Sequence, residues 1–254
     1  DRRGVWLRIE EAELVWSRLA LLRGRLSIDS LTAAKLTITR APLPGENDEP
    51  IEEGGEFALP SLPVAVRSNG SATDRVAIAA GIIGPAASLD VEGAARLEGG
   101  ALDARLNVER IDRPGSLQLA TRFANDTRQL AIDLKFSEPA GGVVANALGV
   151  DGLPALAFSI AGEGPLSDFS ADVSLVAATE TLLSGTTRIA DAGDGGLRFI
   201  TDVSGNVEPL VRELYDPFVA GGSSLKIDVT RTGTGEIEVS EGAFKSGAAD
   251  LTFT

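Results

Sequence analysis

The chain has 254 residues and a net charge of −14, from 23 Lys and Arg against 37 Asp and Glu, with no His, Cys or Met. That inventory removes the commonest metal ligands, the thiol nucleophile and the proton shuttle of neutral pH, and the negative field repels nucleic-acid phosphates and anionic membrane surfaces. Apolar residues reach 43 %, enough for a core, but with aromatics at 5 % and 29 glycines the apolar surface is mostly Ala, Val, Ile and Leu, a mixture suited to strands and tight turns.

Asp at the first position and the lack of Met predict a piece of a longer chain, and the alternating "AADLTFT" at the end, with no turn signal, predicts the same there. Trp6 and Trp16 lie in apolar segments and are expected as core anchors. Ser17 to Leu22 has helical spacing, and residues 19–44, "LALLRGRLSIDSLTAAKLTITRAPLP", hold two short alternating segments. Then Glu46, Asp48, Glu49, Glu52, Glu53 and Glu56 crowd together, with no basic residue between Arg40 and Arg67. This predicts a flexible, solvated acidic loop over 42–62, dividing N-terminal strands at 1–41 from a repetitive segment at 63–254. The longest charge-free stretch, Val76 to Leu89, is short and broken by Gly81, Gly84 and Pro85, so neither a membrane helix nor a signal peptide is expected.

From Leu89 the pattern becomes regular. Leu89, Val91, Gly93, Ala95 and Leu97 alternate with Asp90, Glu92, Ala94 and Arg96, the period of a strand with one apolar face. The alternation returns at Leu102–Val108, Leu117–Phe123 and Leu130–Phe136, with turns carrying Gly99–Gly100, Pro114–Gly115 and Asn125–Asp126. Links this short require antiparallel neighbours, hence a meander. From Leu130 to Leu156 the step is 26, twice the 13 from Leu89 to Leu102, and admits "EPAGGVVANALGVDGLP", whose centre is a short helix or a loop packed on the sheet. Strands follow at Leu156–Ile160, Phe169–Leu175, Leu197–Val203, Leu225–Val229 and Ala249–Phe253, and Val207–Tyr215 is a further helical stretch. Three short helices cannot cover so many one-faced strands. The apolar face therefore closes on itself as a sandwich or barrel, or stays open as a groove.

Candidate chemistry is sparse. "DAGDGG" at 191–196 lacks the spacing and distal Glu of a calcium loop, and "GEGPLSD" at 162–168 lacks the third glycine and the helix of a phosphate cradle, so both read as turns. The glycosylation patterns at Asn69 and Asn125 also read as turns. Carboxylates such as Asp90 and Glu92 fall on the polar face, and no pair is marked as acid and base. No catalytic residue, metal site or cofactor is expected.

Four phrases are familiar: "GVWLRIEEAELVWSRLALLRGRLSIDSLTAAKLTITRAPLP", "PVAVR", "LDVEGAARLEGGALDARLNVERID" and "EPAGGVVANALGVDGLPALAFSIAGEGPLSDFSADVSL". Together they resemble an N-terminal part of the TamB family, the inner-membrane subunit of the translocation and assembly module among the AsmA-like, bridge-type lipid-transfer proteins. The resemblance spans most of residues 4–176 and is structural rather than catalytic. It implies a mainly β chain whose long antiparallel meander, with a few short helices, curls into an elongated apolar groove. It also implies a periplasmic location in a Gram-negative bacterium, with anchorage in the inner membrane by a helix outside this sequence. The implied role is outer-membrane biogenesis, through phospholipid passage along the groove, assistance to outer-membrane protein (autotransporter) assembly and secretion, or both.

The implied partners are phospholipid acyl chains and, through parts outside this sequence, an outer-membrane barrel of the TamA type, with no nucleic acid. Leu106, Leu119, Phe123, Ile132, Leu134, Phe136, Phe158, Ile160, Val173 and Leu175 are the candidate lining. Ala95, Ala104 and Ala171 in the same register would widen it. The competing reading is a closed sandwich or barrel acting as a protein-binding scaffold, with these residues as ordinary core.

Overall fold

Period-two alternation produces strands throughout. A computed structural model describes residues 4–21, 25–40, 59, 65–82, 85–148, 150, 152–210 and 216–253, and these form two compact units that meet in sequence at Asp126 and Thr127. The first holds β1 (Leu7–Trp16), α1 (Arg18–Leu21), β2 (Arg25–Ile38), β3 (Ala65–Ile78), β4 (Ala87–Glu98), β5 (Ala101–Arg110) and β6 (Ser116–Ala124). The second holds β7 (Gln129–Glu138), α2 (Val143–Leu148), β8 (Leu156–Pro165), β9 (Asp168–Ala177), β10 (Glu180–Gly193) and β11 (Gly196–Gly205). A 3-10 turn (Glu208–Leu210), α3 (Asp216–Val219), β12 (Ser223–Arg231), β13 (Ile237–Ser246) and β14 (Asp250–Phe253) complete it. The protein is mainly β, and within each unit the strands lie side by side in chain order, the last never returning to pair with the first.

Pairing is antiparallel with one exception. β2 and β3 run parallel, Leu26 beside Val66 and Leu36 beside Val76, so the expected meander is interrupted once and the sheet is mixed. A parallel neighbour needs a crossover that carries the chain back along the strand, and residues 39–64 supply it. The expected acidic loop at 42–62 lies in this crossover and, apart from Leu59, outside the described residues. Leu59 is held by Asn125, whose Oδ1 accepts its N–H at 2.8 Å and whose Nδ2 donates to its carbonyl at 2.9 Å. Asn125 therefore ties the crossover to the end of β6.

Tight turns fix the register. Gly99 and Gly100 both take the left-handed backbone, with φ of 58° and 74°, which a two-residue hairpin between β4 and β5 requires. "DAGDGG" is the equally tight β10–β11 link at Asp194–Gly195, and "GEGPLSD" finishes β8 and turns at Leu166–Ser167. The expected helix at Ser17–Leu22 contains α1, and Val143–Leu148 is α2. Val207–Tyr215 begins as the 3-10 turn, while residues 211–215 lie outside the described ones. The two alternating segments of residues 19–44 resolve as one 14-residue strand, β2, whose polar step at Asp29 and Ser30 stays within it.

The expectation that both tryptophans anchor a core is corrected for Trp16, which is 38 % exposed. It stands on β1, which has a single neighbouring strand among the described residues and is exposed along nearly its whole length. The register of β1 and β2 slips once beside it: Val15 pairs with Ser30 but Trp16 with Ile28, leaving Asp29 of β2 extra.

The apolar register of the first unit ends at an ion pair. Arg110 pairs with Leu89 across β4 and β5, and its side chain turns to Asp112, which accepts Nε at 3.1 Å and the outer guanidinium nitrogen at 2.6 Å. Asp112 also accepts the Ser88 N–H at 3.3 Å. The Arg110 hydrogen bonds, first among the causes, lower its carboxyl from 3.8 to about 2. A folded-state value below the unfolded one adds stability above pH 3.8 that is lost as the pH falls through about 2. The stability gap between wild type and Asp112→Asn is therefore expected to be constant above pH 3.8 and to shrink towards pH 2 in denaturant titrations.

Candidate functional site

The strand registers place one apolar face on each unit. In the first, Leu106 stands between Gly93 and Leu119, and Phe123 pairs with Leu102. Ala95 and Ala104 pair with each other on the same face. In the second, three lines cross β7, β8 and β9: Ile132–Gly162–Ala171, Leu134–Ile160–Val173 and Phe136–Phe158–Leu175. The structure thus brings the candidate lining together in two groups, Leu106, Leu119 and Phe123 in one and the remaining seven in the other.

The lines continue where the alternation is interrupted. Val173 leads to Gly185, Val203, Leu225 and Phe244, and Ala171 to Thr187, Thr201 and Ile227. Ile189, Phe199, Val203, Leu225, Ile227 and Phe244 belong to the face as fully as the earlier seven. Their signal is the same period-two register, carried through β10 and β13. Thr187 and Thr201 share a hydroxyl hydrogen bond of 3.0 Å, which satisfies the one polar pair in their line.

Burial decides what kind of face this is. Of the candidate lining only Phe123 is buried, at 4 % exposure; the others remain half-buried. Phe169, Ala171 and Val203 are the buried members of the second face away from its end. Among the described residues, the buried cluster of that unit is Ala145, Val150, Leu156, Ala177 and Leu182, joined by Val144, Leu153 and Leu210. It lies at the end of the face, where α2 sits over the start of β8, the end of β9 and the start of β10.

Glycines shape the face. A Cβ at Gly162 would run into the Ser170 carbonyl and stand 2.6 Å from the Ala171 Cα, and one at Gly185 would run into the Asp202 carbonyl, 2.7 Å from the Val203 Cα. At these two positions the neighbouring backbone lies where a Cβ would stand, which only glycine permits.

The opposite face is polar. Arg198 on β11 donates through Nε to Asp228 Oδ1 at 2.8 Å and through its outer nitrogen to Oδ2. That pairing holds the buried Asp228 carboxyl below the usual carboxylate range. Lys226 meets Glu241 at 3.1 Å and Lys135 meets Asp133 at 3.3 Å. Among the described residues no group of three or more acidic, His or Cys side chains converges as a metal site, and no helix is long and apolar enough to cross a membrane.

A scan against protein-family models and searches of curated proteins and of solved structures find no match to the chain.

Proposed function

We propose that the chain is a periplasmic segment of an inner-membrane-anchored protein of outer-membrane biogenesis, and that its apolar face is the floor of a groove along which phospholipid acyl chains pass. One observation carries this reading: the apolar register runs from strand to paired strand within each unit, yet every candidate lining side chain except Phe123 stays half-buried. An acyl chain carried through water costs about 0.8 kcal/mol per methylene relative to an apolar surround. A continuous apolar floor lowers that barrier with no reactive group, metal or cofactor. The chemistry is solvation.

A second reading rests on β1. With one neighbouring strand among the described residues, and with Ile9 and Leu14 52 % and 54 % exposed, it presents backbone and apolar side chains to which a client strand or a TamA-type barrel would add. This fits assistance to outer-membrane protein assembly and secretion.

Photocrosslinking in cells separates the two. With the crosslinker at Leu134 or Phe158, phospholipid adducts are expected, and none with it at Asp133 or Ser159 on the polar face. Absence of lipid at all four positions of a folded protein, with protein adducts at Ile9, replaces the conduit by the scaffold.

A further inference from the structure

The two margins of the second unit differ. On one, the strands are joined by Leu166–Ser167, Asp194–Gly195 and residues 232–236. On the other, where β7, β9 and β11 end, the links include α2 and the 3-10 turn followed by α3. Six residues of helix make too few internal hydrogen bonds to persist alone, so α2 must be held by its surroundings, and the means are visible.

Glu138, the last residue of β7, is 6 % exposed although charged. Its Oε1 accepts the Ala145 N–H at 2.7 Å and its Oε2 the Val144 N–H at 2.9 Å, satisfying the first turn. Asn146 Nδ2 donates to the Gly142 carbonyl at 2.7 Å, and the Gly141 N–H to the Leu153 carbonyl at 2.8 Å. A Cβ on Gly142 would stand 2.6 Å from Glu138 Cγ, so the chain passes directly against the capping carboxylate. Beneath the helix, Leu156 and Ala177 continue the apolar face, paired with each other and one step beyond Phe158 and Leu175. They are 3 % and 5 % exposed, where Phe158 and Leu175 are half-buried.

Resting on the groove reading above, we propose that α2 is a lateral stop: clamped by Glu138, it takes the end of the apolar face out of the conduit and confines an acyl chain to the lines from Phe136–Phe158–Leu175 towards the opposite margin. The apolar surface under α2 is already filled by Ala145 and Val150, so a second apolar occupant has no vacant surface there. The stop is built into the β7–β8 link, where the other hairpins of this unit, β11–β12 apart, use two to five residues.

The test exposes the unaltered chain to phosphatidylcholine vesicles doped with phosphatidylcholine bearing a diazirine in one acyl chain. After illumination, adducts are mapped by peptide mass spectrometry. Adducts are expected on Ile132, Leu134, Ile160 and Val173 and not on Leu156, Ala177 or Ala145. In Glu138→Ala, which removes both acceptors, labelling is expected to spread to Leu156 and Ala177. Adducts on Leu156 or Ala177 in the unaltered chain overturn the stop and leave the conduit standing. A folded protein with no adducts anywhere overturns the conduit and the stop with it. Labelling unchanged in a folded Glu138→Ala, with α2 amides exchanging freely, shows that the helix is not what excludes lipid and also overturns the stop.

Discussion

Ile132→Asp is expected to leave the second unit folded and to reduce acyl-chain labelling by more than about tenfold, whereas Leu182→Asp is expected to unfold the unit. Both replace a branched apolar side chain in a strand by the same carboxylate, so the difference isolates the surroundings. Ile132 is half-buried and has Gly162 beside it in register. A carboxylate there stays hydrated, and the fold loses only part of one side chain's burial, about 1–2 kcal/mol. The acyl chain meets a hydrated charge in its path, which costs it well over the ~1.4 kcal/mol that separates tenfold steps. Leu182 is 2 % exposed within the α2 cluster. An unpaired carboxylate there keeps neither water nor a donor, and a loss above about 4 kcal/mol follows. Urea denaturation followed by far-UV circular dichroism is the suitable measurement, because Trp6 and Trp16 both lie in the first unit and would not report on the second. Equal destabilisation by the two variants would make the face a sealed core and end the groove reading.

What was legible in the sequence was the face. The alternation at Leu102–Val108, Leu117–Phe123 and Leu130–Phe136 depends only on local spacing, and within each unit the observed registers bring those residues to one side. β10 and β13 escaped for a physical reason. Along β10 the apolar register is filled by Gly185 and Thr187, and the pairing shifts between Thr181 and Leu183. Along β13 the register slips where Asp228 faces Glu241 but Val229 faces Val239, and Gly242 takes the next apolar position. A bulge moves later side chains to the other parity, and a glycine erases the signal at its own position. The direction of β3 was not legible either. Whether β2 and β3 run parallel depends on where a long crossover delivers the chain, and Asn125, which looked like an ordinary turn residue, turns out to hold Leu59. Glu138 was hidden differently. Period two puts it on the apolar face, where a charge reads as the end of a strand, and only the fold shows the helix N–H groups that it accepts.

Gly185→Ala is expected to destabilise the second unit by about 2–3 kcal/mol, while Gly93→Ala is expected to be neutral or to stabilise the first by up to about 0.5 kcal/mol. Both glycines sit within strands on the apolar register, and neither has the left-handed backbone that would itself disfavour alanine. At Gly93 the nearest atoms to a new Cβ are the Arg105 carbonyl oxygen at 3.4 Å and Leu106 Cδ1 at 3.6 Å. Those are ordinary contacts, and alanine costs an extended chain less entropy than glycine. At Gly185 the obstacle is backbone: the Asp202 carbonyl itself, with its carbon 2.9 Å away and the Val203 Cα at 2.7 Å. Backbone cannot rotate aside as a side chain does. Relief requires β10 and β11 to part along Thr186–Asp202 and Gly185–Val203, breaking hydrogen bonds in the middle of the ladder. Denaturant midpoints for the two variants, with amide exchange at Asp202 and Val203 as the local probe, measure the difference. Were Gly185→Ala as mild as Gly93→Ala, the close approach of β10 to β11 would not be what requires glycine. Its remaining role would then be to keep the line from Val173 to Val203 shallow, and Gly185→Val would lower acyl-chain labelling without lowering stability.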